Sequence, residues 1–434
     1  MAATDSAVLL RAAREGSPEF SAELERLARR GETDLERVEA VAREVVASVR
    51  KEGDPALRRY IERFERRSVG HVFSRDYGGE AALASLTPEV RGALVTAADR
   101  IRRYHERQAA AQLTSFEYAE EGVTLGSRVT PLARVGVYAP GGKARYPSSV
   151  LMSVIPARVA GVTDIVLASP DPCPEVRAAC HLAGVGGLLD AGGAQAIAAL
   201  AYGTETVPRV DKIVGPGNLY VTAAKRLVFG EVAIDSIAGP SEILVVADET
   251  ANPRVIAADL LSQAEHDEAA YPLLVCSSAT LVERVEVELR AQLATLPRRP
   301  VAEPAVRNNG FALIVNGRDA LVEVANRLAA EHVAVQVADP EELATRILHA
   351  GAIFVGSSTP EAAGDYLAGP SHVLPTGGAA RFSAPLGVYD FVSRTSLIGY
   401  QPAALKAQAA HITTLARAEG LEAHARAVEV RGER

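Results

Sequence analysis

The chain has 434 residues, with 46 Lys+Arg against 54 Asp+Glu, a formal net charge of −8; 48% of it is hydrophobic and 23% charged. Composition and length fit a globular chain of about two to four domains and exclude extensive disorder. The acidic balance argues against non-specific nucleic-acid binding, which needs a basic face, and apolar runs such as 243–247 and 273–276 fall far short of the roughly 20 residues of a membrane span.

Three cysteines, Cys173, Cys180 and Cys276, form no C-x-x-C pair. An odd count at such spacings is no disulfide framework and points to a reducing compartment. The N-terminus lacks a basic stretch followed by a long apolar one, so no signal peptide is read and the chain is expected to be cytoplasmic.

Residues 1–110 read as helical. Apolar positions recur at helical spacing in 20–27, 35–49 and 90–104, with charge on the other faces. Thr33 with Glu36 three residues on forms a capping box, and Gly53-Asp54-Pro55 reads as a turn into a further helix. From about residue 125 the texture changes. Short β-branched runs at 133–138, 164–168, 212–214, 243–246 and 273–276 alternate with Ala-rich stretches at 176–182, 194–202 and 219–228. The alternation resumes with strands at 311–315, 333–337 and 352–355 around helices at 321–331 and 341–349. Strands alternating with helices imply βαβ units and mostly parallel sheet, here in two α/β blocks. Residues 384–434 form a tail ending in a helix over 403–427.

Glycines cluster directly after three of these strands, in VYAPGG (137–142), DAGGAQA (190–196) and VGPGN (214–218). Loops at the carboxyl ends of strands line ligand crevices in open α/β sheets, and glycine admits close backbone approach. None matches G-x-G-x-x-G, so a standard dinucleotide fingerprint is absent. Any one such loop is explained by turn chemistry alone. Three within 80 residues, two of them followed by Gln195 or Asn218, point to a ligand site.

LLSQAEHDE brings Gln263 and His266 three residues apart, on one face if helical. Asp365, seven residues before His372, and His424 in the tail supply further metal-ligand candidates, against a plain surface role for each. A Gln/His/Asp/His set carries one negative charge, and zinc held by it would polarise a bound oxygen strongly. Glu331-His332 closes the helix LVEVANRLAAEH before the strand VAVQV. Helical neighbours point about 100° apart and can serve different steps as base and water activator. The competing reading is that a helix C-terminus simply favours a cationic histidine. Glu419 and His424 otherwise pass for a solvated helix face. His71, His105, His181, His349 and His411 read as structural or surface residues.

The segments VGVYAPGGKARYPSSVLM, DAGGAQAIAALAYGT, VDKIVGPGNLYVTAAKR, DSIAGPSEILVVAD, LLSQAEHD, AEHVAV, GDYLAGPSHVLPTGGAARFSAPLGVYDF and EGLEAHARA resemble the histidinol dehydrogenases, in that family's order and spacing. The resemblance spans nearly the whole chain and is weakest before about residue 120. It implies oxidation of L-histidinol through L-histidinaldehyde to L-histidine with two NAD⁺, one zinc ion per subunit and a homodimer. It places zinc ligands at Gln263, His266, Asp365 and His424, and the catalytic pair at Glu331 and His332. Substrate contacts fall on Ser241, His372 and Glu419 as well as on the ligands and the pair, and nucleotide contacts on Tyr138, Gln195 and Asn218. The tail would cross to the partner, so that Glu419 and His424 complete the other subunit's site.

The expected fold is α/β, with two Rossmann-like, doubly wound parallel-sheet domains, a helical N-terminal region and a helical tail. The division is 1–134 plus 243–383, then 135–242, then 384–434. Three alternatives compete with this reading: a zinc and NAD enzyme for another small alcohol, such as a sulfonated diol; a zinc hydrolase using Glu331; and a non-catalytic metabolite binder. The first leaves the tail residues without a role, the second the glycine loops, and the third the acid and base.

Overall fold

The computed structural model describes residues 8–30, 35–141 and 146–432. Thr33 of the capping box and residues 142–145 of the first glycine loop lie outside the described residues. Two six-stranded sheets carry the architecture. The first runs, in spatial order, Arg11–Arg14, Phe311–Ile314, Tyr271–Cys276, Glu242–Ala247, His332–Gln336 and Ala352–Val355, every pairing parallel. The second runs Phe73–Ser74, Gly187–Leu189, Asp164–Ala168, Arg134–Tyr138, Lys212–Val214 and Ala233–Ile234, parallel except for its first strand. Both have helices on both faces. Their central strands therefore read as unbroken apolar runs, and all six residues of Glu242–Ala247 are buried.

Each sheet reverses its strand order once. In the first the reversal falls between Glu242–Ala247 and His332–Gln336, with Ile243 opposite His332. In the second it falls between Arg134–Tyr138 and Lys212–Val214, with Val137 opposite Val214. Such a reversal opens a crevice, because the connections on either side depart in opposite directions.

The N-terminal region is not all helix. Arg11–Arg14 adds an edge strand to the first sheet and Phe73–Ser74 one to the second. Short strands at sheet edges draw their stability from a neighbour's ladder, so periodicity in their own sequence is weak. Helix Pro18–Ala28 buries Phe20, Leu24 and Leu27 against Leu244, Phe311 and Leu328 of the first sheet's core. The expected grouping of 1–134 with that sheet fails beyond this helix. Val38, Val45 and Val49 of Glu36–Glu52 pack with Ile197 and Val221, and Leu94 and Ile101 of Pro88–Gln112 with Leu151 and Ile155, all in the second sheet's cores.

The tail also differs from a single helix. Val392–Tyr400 is a strand in an antiparallel sheet with Val123–Pro131 and Phe116–Glu120. Two helices follow, Pro402–Ala418 and Glu422–Gly432, broken where Gly420 takes φ +75°, a conformation other residues adopt with difficulty. The helix expected at 341–349 is only Pro340–Ala344. No described helix is long and apolar enough to cross a membrane.

Candidate active site

A cleft of about 690 Å³ lies between the amino edge of the first sheet and the carboxyl edge of the second. Ser241, Gln263, His266, Glu331, His332, Asp365 and His372 all line it. A neighbouring cavity of about 960 Å³ is lined by Tyr138 and Gln195, and the two share Pro140 and Asn218.

Glu331 and His332 do not close a helix. That helix ends at Leu328 and Ala329 takes a left-handed conformation (φ +46°), after which His332 begins the strand beside Glu242–Ala247. The helix-terminus account of His332 therefore fails. Both side chains are nearly sealed from solvent. His332 Nδ1 lies 2.9 Å from the backbone oxygen of Glu242. A carbonyl only accepts, so Nδ1 carries the proton and Nε2 keeps its lone pair. Burial pulls the His332 pKa down to about 4, opposed by nearby Asp365, so the imidazole is neutral around pH 7. Glu331 Oε2 accepts from the Glu242 backbone N–H at 2.9 Å. Burial, then the neighbouring Glu242, holds the Glu331 carboxyl well above the usual range.

Gln263 sits in the last turn of Pro253–Ala264, a helix started by Pro253 and capped by the Asn252 side chain on the Arg254 N–H. His266 follows just past its end, and Asp365 comes from Glu361–Tyr366. Sequence reasoning missed Glu361. Its carboxylate and the ligand atoms of His266 and Asp365 lie within 4.8 Å of one another. The Gln263 amide is satisfied with its nitrogen 2.6 Å and 3.2 Å from the two Glu361 oxygens, which fixes the side of the amide on which its oxygen lies. Imidazole nitrogen and carboxylate oxygens in one small volume suit a borderline cation such as zinc. Burial, then Asp365, raises the Glu361 pKa. The signal for Glu361 was an acid four residues before Asp365, one helical turn away.

His372 is braced at both ring nitrogens. Nδ1 donates to the Asp365 backbone oxygen at 3.0 Å, and Nε2 lies 3.1 Å from the Ser149 hydroxyl. Glu419 and His424 are exposed on the tail, and neither is among the described residues lining this chain's own cleft.

On the second sheet, Tyr138 ends its strand and its hydroxyl accepts from the Gly193 N–H at 3.1 Å. Burial pushes its pKa up to about 12. Gln195 donates to Glu65 Oε1 at 3.1 Å, and the same oxygen accepts from the Gly192 N–H at 2.9 Å. Glu65, absent from the sequence reading, thus orients the second glycine loop. Asn218 caps helix Leu219–Val228, its Oδ1 accepting from the N–H groups of Tyr220 and Val221 at 3.1 and 3.2 Å. Among the described residues its amide nitrogen has no hydrogen-bond partner. Part of the glycine requirement is structural, because a Cβ at Gly215 (φ +110°) would collide with the Tyr138 carbonyl oxygen.

Two doubly wound sheets facing each other across a cleft lined by Glu331, His332, His266 and Asp365, with a second cavity alongside, define an α/β protein with a ligand site between its sheets. The family model described as histidinol dehydrogenase matches residues 28–432. The histidinol dehydrogenase of Geobacter sulfurreducens is 49% identical over 419 residues, covering 95% of this chain and 97% of that protein. That of Ralstonia nicotianae is 49% identical over 424 residues, covering 96% of each. The crystal structure of histidinol dehydrogenase from Elizabethkingia anophelis superposes with a TM-score of 0.90 at 32% identity, covering 98% of both chains. The chain belongs to the histidinol dehydrogenase family.

Proposed function

We propose that this enzyme oxidises L-histidinol through L-histidinaldehyde to L-histidine, the last steps of histidine biosynthesis, with reduction of two NAD⁺. The observation that carries the reading is the state of His332, a neutral imidazole at the strand-order reversal whose protonated Nδ1 faces the Glu242 carbonyl oxygen and Glu331, 3.6 Å from Glu331 Oε2, and whose Nε2 keeps its lone pair. His332 Nε2 takes the hydroxyl proton in the first oxidation. In the second, Glu331 removes a proton from water attacking the aldehyde, and His332 accepts the proton of the hydrate. A carboxyl held above its usual range is a stronger base than a free one and suits that task.

Tyr138, Gln195 and Asn218 would hold NAD⁺, which when bound would supply the hydride acceptor for each oxidation. Gln263, His266 and Asp365, with His424 of the partner subunit, would hold zinc, which when bound supplies fixed positive charge against the substrate's nitrogen atoms. Glu361 keeps the Gln263 oxygen turned toward that position. Ser241, His372 and Glu419 of the partner subunit would complete the substrate contacts. Fixing the alcohol carbon in this way is catalysis by positioning.

A homodimer with shared sites gives Glu419 and His424 their role. Supporting it, the tail leaves Ile398, Leu415 and Val430 largely exposed, apolar surface that a partner subunit would cover. The test is NADH formation with histidinol and with a sulfonated diol, before and after chelation and zinc repletion. Histidinol-dependent, zinc-restored NADH is expected; activity only with the diol, or none without relation to metal, would overturn the reading.

A further inference from the structure

The mechanism makes no use of the buried ion pair Arg30–Glu242 at the edge of the cleft. Arg30 lies just beyond the first-sheet helix Pro18–Ala28, and its side chain and that of Glu242 are both essentially without solvent contact. Their polar atoms lie 2.7 Å apart. Every polar group of Glu242 is engaged with the catalytic pair or its anchors. Its backbone oxygen accepts from His332 Nδ1, its backbone N–H donates to Glu331 Oε2, and its Oε2 accepts from the Glu331 backbone N–H at 3.2 Å. Its other carboxylate oxygen accepts from the Gly377 N–H at 2.6 Å. Arg30 also donates to the Leu27 backbone oxygen at 2.8 Å and to that of Leu328 at 2.9 Å. The latter carbonyl immediately precedes Ala329, the non-glycine residue held at φ +46° where the chain turns from helix into the catalytic strand.

We infer that Arg30 and Glu242 are positioning residues that clamp the turn at 328–331 and thereby aim Glu331 and His332 into the cleft. This rests on the acid–base roles given above for those two residues. A buried ion pair is poor evidence of stabilisation, since an apolar pair of similar volume often serves stability as well. What an apolar pair cannot reproduce is the set of directed bonds to the Leu328 oxygen and the Glu331 N–H. Displacements of the order of an ångström in a reacting group are enough to lower rates about a hundredfold.

The experiment compares Glu242→Gln, Arg30→Met, Arg30→Lys and the double variant Arg30→Met/Glu242→Leu, with Glu331→Gln and His332→Asn as references. Thermal midpoint, KM for histidinol and kcat per folded molecule are measured for each oxidation. The single variants should melt lower and lose about tenfold or more in kcat, with KM for histidinol within about threefold. The double variant should regain much of the lost melting temperature but not the kcat, and Arg30→Lys, which keeps a donor near Glu242, should retain more kcat than Arg30→Met. A kcat that follows the melting temperature through the series would overturn the inference. So would wild-type kcat per folded molecule in Glu242→Gln, which decides the matter even if the double variant does not fold. If the two reference variants are crippled while those at 30 and 242 are not, positioning alone fails. If the references turn over normally, the acid–base assignment fails with it.

Discussion

The two six-stranded sheets each reverse their strand order once but meet the cleft with opposite ends. The second presents its carboxyl edge, where glycine loops after Tyr138, Leu189 and Val214 let backbone come close to a ligand. The first presents its amino edge, where Ser241, Glu242, Glu331 and His332 stand at or just before the start of neighbouring strands. The difference matters chemically. Open loops at a carboxyl edge suit recognition of an extended nucleotide. Side chains rooted at the start of buried strands are held by ladder bonds on both sides, which suits groups whose placement decides a rate. On the function proposed above, the second half holds the nucleotide and the first holds the reacting groups.

The division is broken most severely by His332→Asn. Both hydride transfers need a proton acceptor, so both half-reactions should fall by about 10²–10⁴-fold, measured separately with histidinol and histidinaldehyde. Small, equal losses would mean that His332 is only a packed core residue.

The comparison is sharpened by mixing a His332→Asn subunit with a His424→Asn subunit. If tails are exchanged, one site of the mixed dimer collects both lesions and the other is intact. Random pairing then restores about a quarter of wild-type activity from two nearly inactive parents. Confirmed subunit exchange with no recovery would place each site within one chain. A smaller effect belongs to the binding edge. Tyr138→Phe leaves the Gly193 N–H without its partner, a loss of about 1–2 kcal/mol, or roughly five- to thirtyfold. It should appear in KM for NAD⁺, with kcat at saturating NAD⁺ little changed.

Most of the second half is legible from sequence because each strand there is a short β-branched run followed by a glycine loop. Asp164–Ala168 and Lys212–Val214 fall where the pattern puts them. The reactive half is legible in its strands but not in its supports. Arg30 and Glu242 are 212 positions apart, and Glu65 reaches Gln195 across 130; no local spacing announces such pairs. Glu331-His332 was recognisable as a pair yet misplaced, because LVEVANRLAAEH keeps helical periodicity while Ala329 turns the backbone out of the helix. The strand Val392–Tyr400 was hidden for a related reason. Its side chains are mostly exposed on both faces, so the sequence lacks the alternation by which a half-buried strand is read.

The claim that one cleft carries out two different oxidations is tested most directly by counting NADH per histidinol in a single turnover, with wild-type enzyme and with Glu331→Gln. The wild type should give two NADH and histidine, with little free aldehyde. Glu331→Gln keeps the His332 base but lacks the carboxylate that activates water, so it should stop near one NADH and accumulate histidinaldehyde. Two NADH from Glu331→Gln at the wild-type rate, or one NADH with released aldehyde from the wild type, would contradict the account.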